Sequence, residues 1–276
     1  MTVRFALVGA PRTGSTLLRM TLDGLEGCRC QGELLAPQRV RGYGAAGARA
    51  ALSRSERAAQ QESLLAERRR DPVAFLLRAL DRGAERASGF KVLYGSLLAP
   101  EAADVRRALV ADRSWRIIHL VRGNALRRYV SEEVLRAGGP ANSRSPRGPD
   151  ATSPTLRLDP EHFARRCEEI EVQRARVDRL IAGNPRLDLS YEALAADVPG
   201  SVARVADFLG LRVDGARIEP ALQRVGSDDL RGVVSNLDEV RDHPSLRPHL
   251  DDADAAGRSR SARSEGLPGR PSGDGR

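Results

Sequence analysis

The first twenty residues limit the fold of this chain more than any other stretch. Residues 5–8, Phe-Ala-Leu-Val, form an apolar run of the length of a buried strand. Residues 9–14 contain two glycines, a proline and small polar residues, which favour a tight loop whose backbone can come close to a ligand. A helix is predicted from Ser15 onward. In such a unit, unpaired N–H groups and the positive end of the helix dipole face the same point, which predicts an anion site.

The loop has the spacing of the Walker A pattern, in which four residues separate Gly9 from Gly14. Ser15 and Thr16 stand where that pattern has Lys-Ser/Thr, so the lysine that reaches the outer phosphates of ATP or GTP is missing. Arg12 is the only cation in the loop. The pattern therefore indicates a phosphate-like ligand other than the tail of a nucleoside triphosphate. The alternative interpretation is a simple glycine turn between a strand and a helix.

A second position also lacks the residue that a magnesium–nucleotide site needs. Walker-type enzymes hold Mg²⁺ through an acidic residue at the end of a later apolar strand. The best candidate strand here, residues 117–121, is followed by Arg122 instead. Both departures favour an anion bound without a metal ion, and no metal is expected.

A length of 276 residues suits one large α/β domain, and two small domains are the alternative. The net charge of +8 comes almost wholly from arginine, since Lys91 is the only lysine. A basic chain can bind nucleic acid, but here the arginines are interspersed with acidic residues, aromatics are few and no nucleic-acid motif occurs. Anionic small molecules are therefore the expected partners, and nucleic acid is not.

Cysteine use and hydropathy predict a cytoplasmic protein. Cys28 and Cys30 are too close for an ordinary disulfide, and no second cluster of ligands accompanies them or Cys167, so free thiols are expected. No apolar run approaches the length of a membrane span, and no membrane partner is expected. The first strand begins almost at Met1, which leaves no room for a signal peptide.

Predicted strands alternate with predicted helices along the chain. Strands are expected at 5–8, 89–94, 115–121 and 187–191, with a shorter one in 28–35; helices are expected from Ser15 and Asp71 and over 47–70, 100–111, 125–137, 159–181 and 200–209. This order predicts an α/β, P-loop-like three-layer fold, with a central parallel sheet flanked by helices and ligands at the carboxyl ends of its strands. Residues 1–250 form the predicted domain. Residues 251–276 are predicted to be a disordered tail, because their composition cannot bury a core.

Two segments resemble the nucleotide-binding signatures of the PAPS-dependent sulfotransferases, PAPS being 3′-phosphoadenosine 5′-phosphosulfate. They are residues 11–18, Pro-Arg-Thr-Gly-Ser-Thr-Leu-Leu, and residues 119–131, His-Leu-Val-Arg-Gly-Asn-Ala-Leu-Arg-Arg-Tyr-Val-Ser. Further stretches follow in the family's usual order, at 89–92, 159–163, 189–194, 207–211 and 230–240. The likeness covers about residues 3–245 and is closest to the bacterial carbohydrate and small-molecule type.

The resemblance implies PAPS as cofactor and PAP as its product. The first loop would hold the 5′-phosphosulfate, with Arg12 supplying charge. Arg122 and Ser131 would hold the 3′-phosphate, and Tyr191 would line the adenine site. The full set of residues expected to bind the cofactor is Arg12, Thr13, Gly14, Ser15, Thr16, Leu17, Arg122, Ser131 and Tyr191.

The resemblance also suggests Glu33, Arg12 and Lys91 as catalytic residues. Transfer to a hydroxyl needs a general base, and the histidine that many relatives carry just after the lysine-containing strand is absent here. Gly32-Glu33 is similar to the Gly-Glu of bacterial and glycan-directed members, so Glu33 is the predicted base. A surface carboxylate is the alternative interpretation of Glu33. Lys91 is predicted either to contact the transferred sulfate or to face solvent at a strand end.

Other residues near these motifs have structural interpretations. Many relatives have arginine where Gly123 stands, and Arg127 or Arg128 could take over that role. A solvated helix face is the favoured interpretation of these two arginines. His119 is interpreted as a satisfied core histidine and Tyr94 as a packing residue.

The predicted function is metal-independent, in-line transfer of a sulfuryl group from PAPS to a hydroxyl of a carbohydrate or small-molecule (natural-product) acceptor. A P-loop nucleotide kinase or other NTPase is the enzymatic alternative. A PAP(S)-binding protein without turnover is the non-enzymatic one. Residues 36–60 and 138–158 are expected to shape the acceptor pocket, and 138–158 is predicted to be either a lid or disordered. No sequence feature indicates an oligomeric state.

Overall fold

A parallel sheet forms the centre of the molecule. The computed structural model describes residues 2–43, 52–81, 83, 85–139, 154–213, 218–219 and 230–250. Within these residues, five parallel strands form one sheet in the order β2-β3-β1-β4-β5. They are β1 (Val3–Gly9), β2 (Cys28–Glu33), β3 (Ala87–Leu93), β4 (Arg116–Val121) and β5 (Arg186–Ser190). The predicted α/β fold with a central parallel sheet is confirmed.

Helices connect the strands and cover both faces of the sheet. They are α1 (Ser15–Asp23), α2 (Arg54–Arg70), α3 (Pro72–Leu80), α4 (Tyr94–Leu98), α5 (Ala103–Ala111), α6 (Ala125–Arg136), α7 (Pro160–Ile181), α8 (Tyr191–Ala196), α9 (Val198–Phe208) and α10 (Leu237–Val240). Short 3₁₀ turns cover Pro100–Ala102 and Arg247–His249. Several helices begin where a polar side chain accepts a hydrogen bond from the first turn, as Asp71 does for α3 and Asp159 for α7.

Two strands end one residue earlier than the sequence predicts. Tyr94 and Tyr191 were expected to finish strands, but they begin α4 and α8. For Tyr191 the reason is local, because the hydroxyl of Ser190 accepts a hydrogen bond from the Ala193 N–H at 3.1 Å and caps the helix. The two tyrosines therefore lie at the carboxyl edge of the sheet.

Some predictions fall on parts of the chain that the structure does not describe. These are the start of the helix predicted over 47–70, most of the loop 138–158 and the tail 251–276. The described part of the 47–70 helix begins at Arg54, after a capping box in which Ser53 and Glu56 bind each other's backbone N–H groups.

The core lies in layers on either side of the sheet. Alternation along β1 sends Ala6 and Val8 to one face, where α3, α4, α5 and α7 pack, and Phe5 and Leu7 to the other, where α1, α8 and α9 pack. Burial of these side chains provides the main stabilisation of the fold.

A separate apolar cluster lies at the carboxyl edge of the sheet. It joins α6, the start of α7 and residues 230–246 around Tyr129, Phe163 and Leu237. This cluster holds α6 beside the loop that follows β1, and so brings two distant signature segments together.

Candidate active site

The loop after β1, where the sequence predicts an anion site, has an unusual backbone conformation. Arg12 and Gly14 both adopt left-handed backbone conformations, with φ of 65° and 78°. The Thr13 hydroxyl donates to the Ala10 carbonyl at 3.0 Å and braces the turn. Gly14 is the N-cap of α1, so the N–H groups of the first helical turn begin at this loop, at the positive end of the helix dipole. A left-handed arginine is uncommon, and such strained residues cluster at functional sites.

The Arg12 side chain reaches the second signature segment. Its Nε donates to the Ser131 hydroxyl on α6 at 2.9 Å. The Arg12 carbonyl accepts a hydrogen bond from Nη1 of Arg122, at the end of β4, at 3.2 Å. Burial lowers the pKa of Arg12, and the nearby Glu132 and Tyr191 oppose that change only in part. The two cations expected at opposite ends of a nucleotide thus lie against one loop.

Tyr191 closes the other side of the loop. The Arg122 guanidinium carbon lies 4.2 Å from the centroid of the Tyr191 ring, a cation–π contact. The same ring packs on Gly14 so closely that a Cβ at this position would lie 2.7 Å from its Cδ2 atom. Of the nine residues predicted to bind the cofactor, Leu17 is partly buried and packs against the apolar cluster on the α1 side of the sheet.

Glu33 and Lys91 form an ion pair beside the start of α1. They are adjacent in the β2–β3 register, after a bulge between Gln31 and Glu33. Lys91 Nζ lies 2.9 Å from Glu33 Oε1 and also donates to the Thr16 hydroxyl at 2.9 Å. The Lys91 side chain is only 8% exposed and that of Glu33 15%. The alternative interpretations, a solvent-facing lysine and a surface carboxylate, are therefore wrong.

Burial and the neighbouring carboxylate change the pKa of Lys91 in opposite directions. Desolvation lowers the pKa of its ammonium group, and the Glu33 carboxylate opposes that change. Arg41 adds a second cation, with Nη1 3.6 Å from Glu33 Oε2. The chain from Glu33 through Lys91 to Thr16 connects a carboxylate to the anion-facing loop.

The predicted solvated helix face is wrong for Arg128. This residue is 3% exposed, and its Nη1 binds Glu132 Oε2 at 2.9 Å. Arg136 and Arg166 bind the same carboxylate, at 2.9 and 2.7 Å. Burial raises the pKa of Glu132, but hydrogen bonding to Arg166 and the charge of the three arginines outweigh that effect and lower it. Local sequence gives no signal of this burial, because a double arginine in a helix normally faces water.

Glu192 lies beside these residues, and the sequence reasoning did not single it out. Its carboxylate accepts hydrogen bonds from the N–H groups of Gly123 and Asn124, at 3.0 and 3.3 Å. These bonds fix the turn after Arg122 to the start of α8. A Cβ at Gly123 would make only ordinary contacts, at 3.7 Å from Glu192. The signal that could have found Glu192 is its place directly after Tyr191.

The structural interpretation of His119 is confirmed. The ring is fully buried, with Nε2 2.6 Å from the Tyr94 hydroxyl and Nδ1 3.0 Å from Asp188 Oδ1. The three cysteines are free thiols, as predicted. Burial raises the pKa of Cys28 to about 12, so this thiol is inert near neutral pH.

Comparison with known proteins identifies the class to which this site belongs. The family model described as "Sulfotransferase family" matches residues 5–215, so the chain belongs to the sulfotransferase family, and the predicted enzyme class is confirmed. No curated protein matches the chain. Among the described residues, no helix is both long and apolar enough to cross a membrane.

Solved structures share this fold at low sequence identity. A sulfotransferase from Alicyclobacillus acidocaldarius is 17% identical, with a TM-score of 0.50 over 97% of each chain. The sulfotransferase domain of the Synechococcus PCC 7002 olefin synthase is 22% identical, with a TM-score of 0.42 over 98% of this chain and 90% of that one. Retinol dehydratase in complex with retinol and PAP is 16% identical, with a TM-score of 0.40 over 96% and 81%. At 17% identity, the likeness to the Alicyclobacillus acidocaldarius enzyme shows the fold alone.

Proposed function

We propose that this enzyme transfers a sulfuryl group from PAPS to a hydroxyl of a carbohydrate or small-molecule acceptor, with Glu33 as general base. One observation carries the proposal. The anion-facing loop lies between a cationic, tyrosine-covered side at Arg12, Arg122 and Tyr191 and a carboxylate–lysine pair at Glu33 and Lys91. The first side suits the nucleotide, and the second suits the reacting hydroxyl.

The residues present fit PAPS. Support comes from the two left-handed residues and from the N-terminus of α1, whose first-turn N–H groups suit a 5′-phosphosulfate. Arg122 and Ser131 would hold the 3′-phosphate, and the Tyr191 ring would face the adenosine. When bound, PAPS supplies an electrophilic sulfuryl group on a phosphate leaving group.

Three side chains have different roles in the proposed transfer. Glu33 would take the proton of the acceptor hydroxyl, and PAPS held by the loop after β1 would supply the sulfuryl group, with the bonding electron pair left on its bridging oxygen. Arg12 and Lys91 offset the negative charge that develops there. Lys91, held between Glu33 and Thr16, also keeps the base next to the loop. The proposed displacement is in-line, with Glu33 facing the attacking hydroxyl and Arg12 facing the leaving group.

Other functions fit the site less well. A nucleotide kinase or other Walker-type NTPase needs a loop lysine and an acid at the end of β4, where this chain has Ser15 and Arg122. A PAP-binding protein without turnover would not need a carboxylate paired with a lysine beside the loop. The Glu33–Lys91 contact therefore favours an enzyme.

Calorimetric titration tests the nucleotide assignment. We expect PAP to bind more tightly than ATP with Mg²⁺. Arg122→Ala should weaken PAP binding roughly tenfold or more, because a charged hydrogen bond is lost, and should leave AMP, which has no 3′-phosphate, nearly unchanged. Arg136→Ala serves as the control, since its side chain is 48% exposed on the same helix as Ser131. Equal losses for PAP and AMP would remove Arg122 from the 3′-phosphate site.

A further inference from the structure

The chain that follows β2 folds back onto Glu33. The Arg41 N–H donates to the Glu33 carbonyl at 3.2 Å, and the Ala36 N–H reaches the same carbonyl at 3.3 Å. The Arg41 side chain returns to this residue as well, with Nη1 3.6 Å from Glu33 Oε2. The position of Glu33 therefore depends on residues 34–42, which are called the base loop below.

One side chain of α2 holds the base loop by three hydrogen bonds. Arg68 Nη1 donates to the carbonyls of Leu34 and Ala36, both at 2.8 Å. Arg68 Nη2 donates to the Pro37 carbonyl at 3.0 Å. A guanidinium is planar and its donors have fixed directions, so these bonds fix the three carbonyls relative to α2. The first of the carbonyls belongs to the residue directly after Glu33.

A second side chain of α2 holds the base loop further along. The Gln61 amide, oriented so that each donor meets an acceptor, donates to the Val40 carbonyl at 3.0 Å and accepts from the Val40 N–H at 2.7 Å. Gln61, Leu64 and Arg68 have the i, i+3, i+7 spacing of one helix face. Leu64 and Arg68 are the buried residues of α2. This face of α2 therefore meets the base loop with a polar group at each end.

Arg68 is buried without a carboxylate partner. The residue is 8% exposed, and none of the ion pairs among the described residues includes it. Burial lowers the pKa of its guanidinium, and the charge of Arg69 lowers it further, while Glu101 opposes the change. An apolar side chain in this place would avoid the cost of desolvating a charge. Packing alone therefore does not explain an arginine here, whereas the three carbonyls do.

We propose that Arg68 is a positioning residue for the transfer, which holds the base loop so that the Glu33 carboxylate lies beside Lys91 and faces the acceptor hydroxyl. The inference rests on the proposed function, because it assigns Arg68 to Glu33 as the base. Lys91 fixes one carboxylate oxygen, at 2.9 Å, but the backbone that carries the carboxylate is held by the base loop. A displacement of about 1 Å in such a group can lower a rate by about 10²-fold.

Arg68→Met tests the assignment, because it keeps an unbranched side chain and removes the three donors. Arg69→Met is the matched control, since it removes the same group from the next position of α2, where the side chain is exposed. Transfer of labelled sulfuryl from PAPS to a panel of hydroxyl acceptors is measured on the full chain. The rate is divided by the number of PAP-binding sites from calorimetry, so that unfolded protein does not count. Hydrogen exchange of the backbone amides reports on the base loop directly.

We expect Arg68→Met to lower kcat by about 10- to 100-fold and to leave PAP affinity and the KM for PAPS unchanged. Amide exchange should become faster in the base loop and stay the same in α1. Arg69→Met should match the wild type in each measurement. In a double-mutant cycle, Arg68→Met should cause no further loss of rate once Glu33→Gln is present, because a positioning residue acts through the base. A merely structural role would lower the rate in both backgrounds.

The inference is overturned if the kcat of Arg68→Met per PAP-binding site matches that of the wild type, or if Arg68→Met and Glu33→Gln lower the rate independently. Should Arg68→Met not fold, Arg68→Lys keeps the charge but lacks the fork that reaches three carbonyls, and the same comparisons apply. Full turnover by Glu33→Gln would refute the base of the proposed function and with it the role of Arg68. Unchanged amide exchange in the base loop would overturn the inference alone.

Discussion

Replacing Gly14 by alanine perturbs the anion-facing loop at one atom. Gly14 has φ of 78°, a conformation that L side chains rarely adopt. An added Cβ would lie 2.7 Å from Cδ2 and 3.1 Å from Cε2 of the Tyr191 ring. Both distances are shorter than ordinary contacts, so the ring must move. Because the Arg122 guanidinium sits 4.2 Å from the ring centroid, that movement also disturbs the proposed 3′-phosphate residue.

The expected cost has two parts. The left-handed backbone costs a residue with a Cβ about 1–2 kcal/mol. Displacing a packed ring adds about 1–3 kcal/mol, as in other overpacked sites. Gly14→Ala should therefore lower the free energy of unfolding by about 2–5 kcal/mol, a large share of the ~5–15 kcal/mol typical of a folded domain.

Gly138→Ala separates the backbone cost from the cost of displacing the Tyr191 ring. Gly138 has φ of 84°, but a Cβ there would meet no heavy atom of the described structure within 4 Å. This variant should show the backbone cost alone. Urea unfolding without nucleotide measures both variants. Calorimetry should also show PAP affinity lowered on the order of tenfold, or ~1.4 kcal/mol, in Gly14→Ala and unchanged in Gly138→Ala.

A double-mutant cycle completes the experiment. Adding Tyr191→Leu removes the ring, so Gly14→Ala should then cost no more than Gly138→Ala. The reasoning is refuted if Gly14→Ala is no more destabilising than Gly138→Ala in the wild-type background. It is also refuted if Tyr191→Leu leaves the cost of Gly14→Ala unchanged.

Two further predictions concern the ion pair beside the loop. Glu33→Gln should lower the rate of transfer of labelled sulfuryl from PAPS to a panel of hydroxyl acceptors by about 10²–10⁴-fold, because a general base is lost, and should leave PAP affinity unchanged. Glu26→Gln, on an exposed turn, is the control. Full turnover by Glu33→Gln would exclude Glu33 as the base. Lys91→Met tests the lowered pKa of Lys91. As pH rises, the folded chain loses this proton at a lower pH than the unfolded chain, whose lysine titrates at about 10.4. The free energy of unfolding of the wild type, relative to that of Lys91→Met, should therefore rise with pH in the window below that value. A difference in free energy that does not change with pH would contradict the assignment.

Much of the fold and part of the site could be predicted because their signals are local. The apolar run of residues 5–8, the glycines that follow and the helix after Ser15 lie within one short stretch. Spacing alone indicated an anion site there, and Ser15 and Arg122 argued against a nucleoside triphosphate. Alternation of strands and helices was enough to predict the parallel sheet.

Contacts between distant segments could not be predicted in the same way. The pairing of Glu33 with Lys91 depends on the register of β2 and β3, including a bulge. The sequence suggested each residue singly and left open whether Lys91 faces solvent. Only the assembled sheet places both at the start of α1.

The sequence by itself determined that a strand, a glycine loop and a helix follow one another in residues 3–23, because those conformations depend on neighbouring residues. The tertiary structure decided what surrounds that loop. Residues 230–246 and the start of α7 pack against α6, and this packing helps bury Arg128 on a helix whose double arginine had indicated solvent. Burial of a side chain depends on which segments pack over it, and those segments lie far away in sequence.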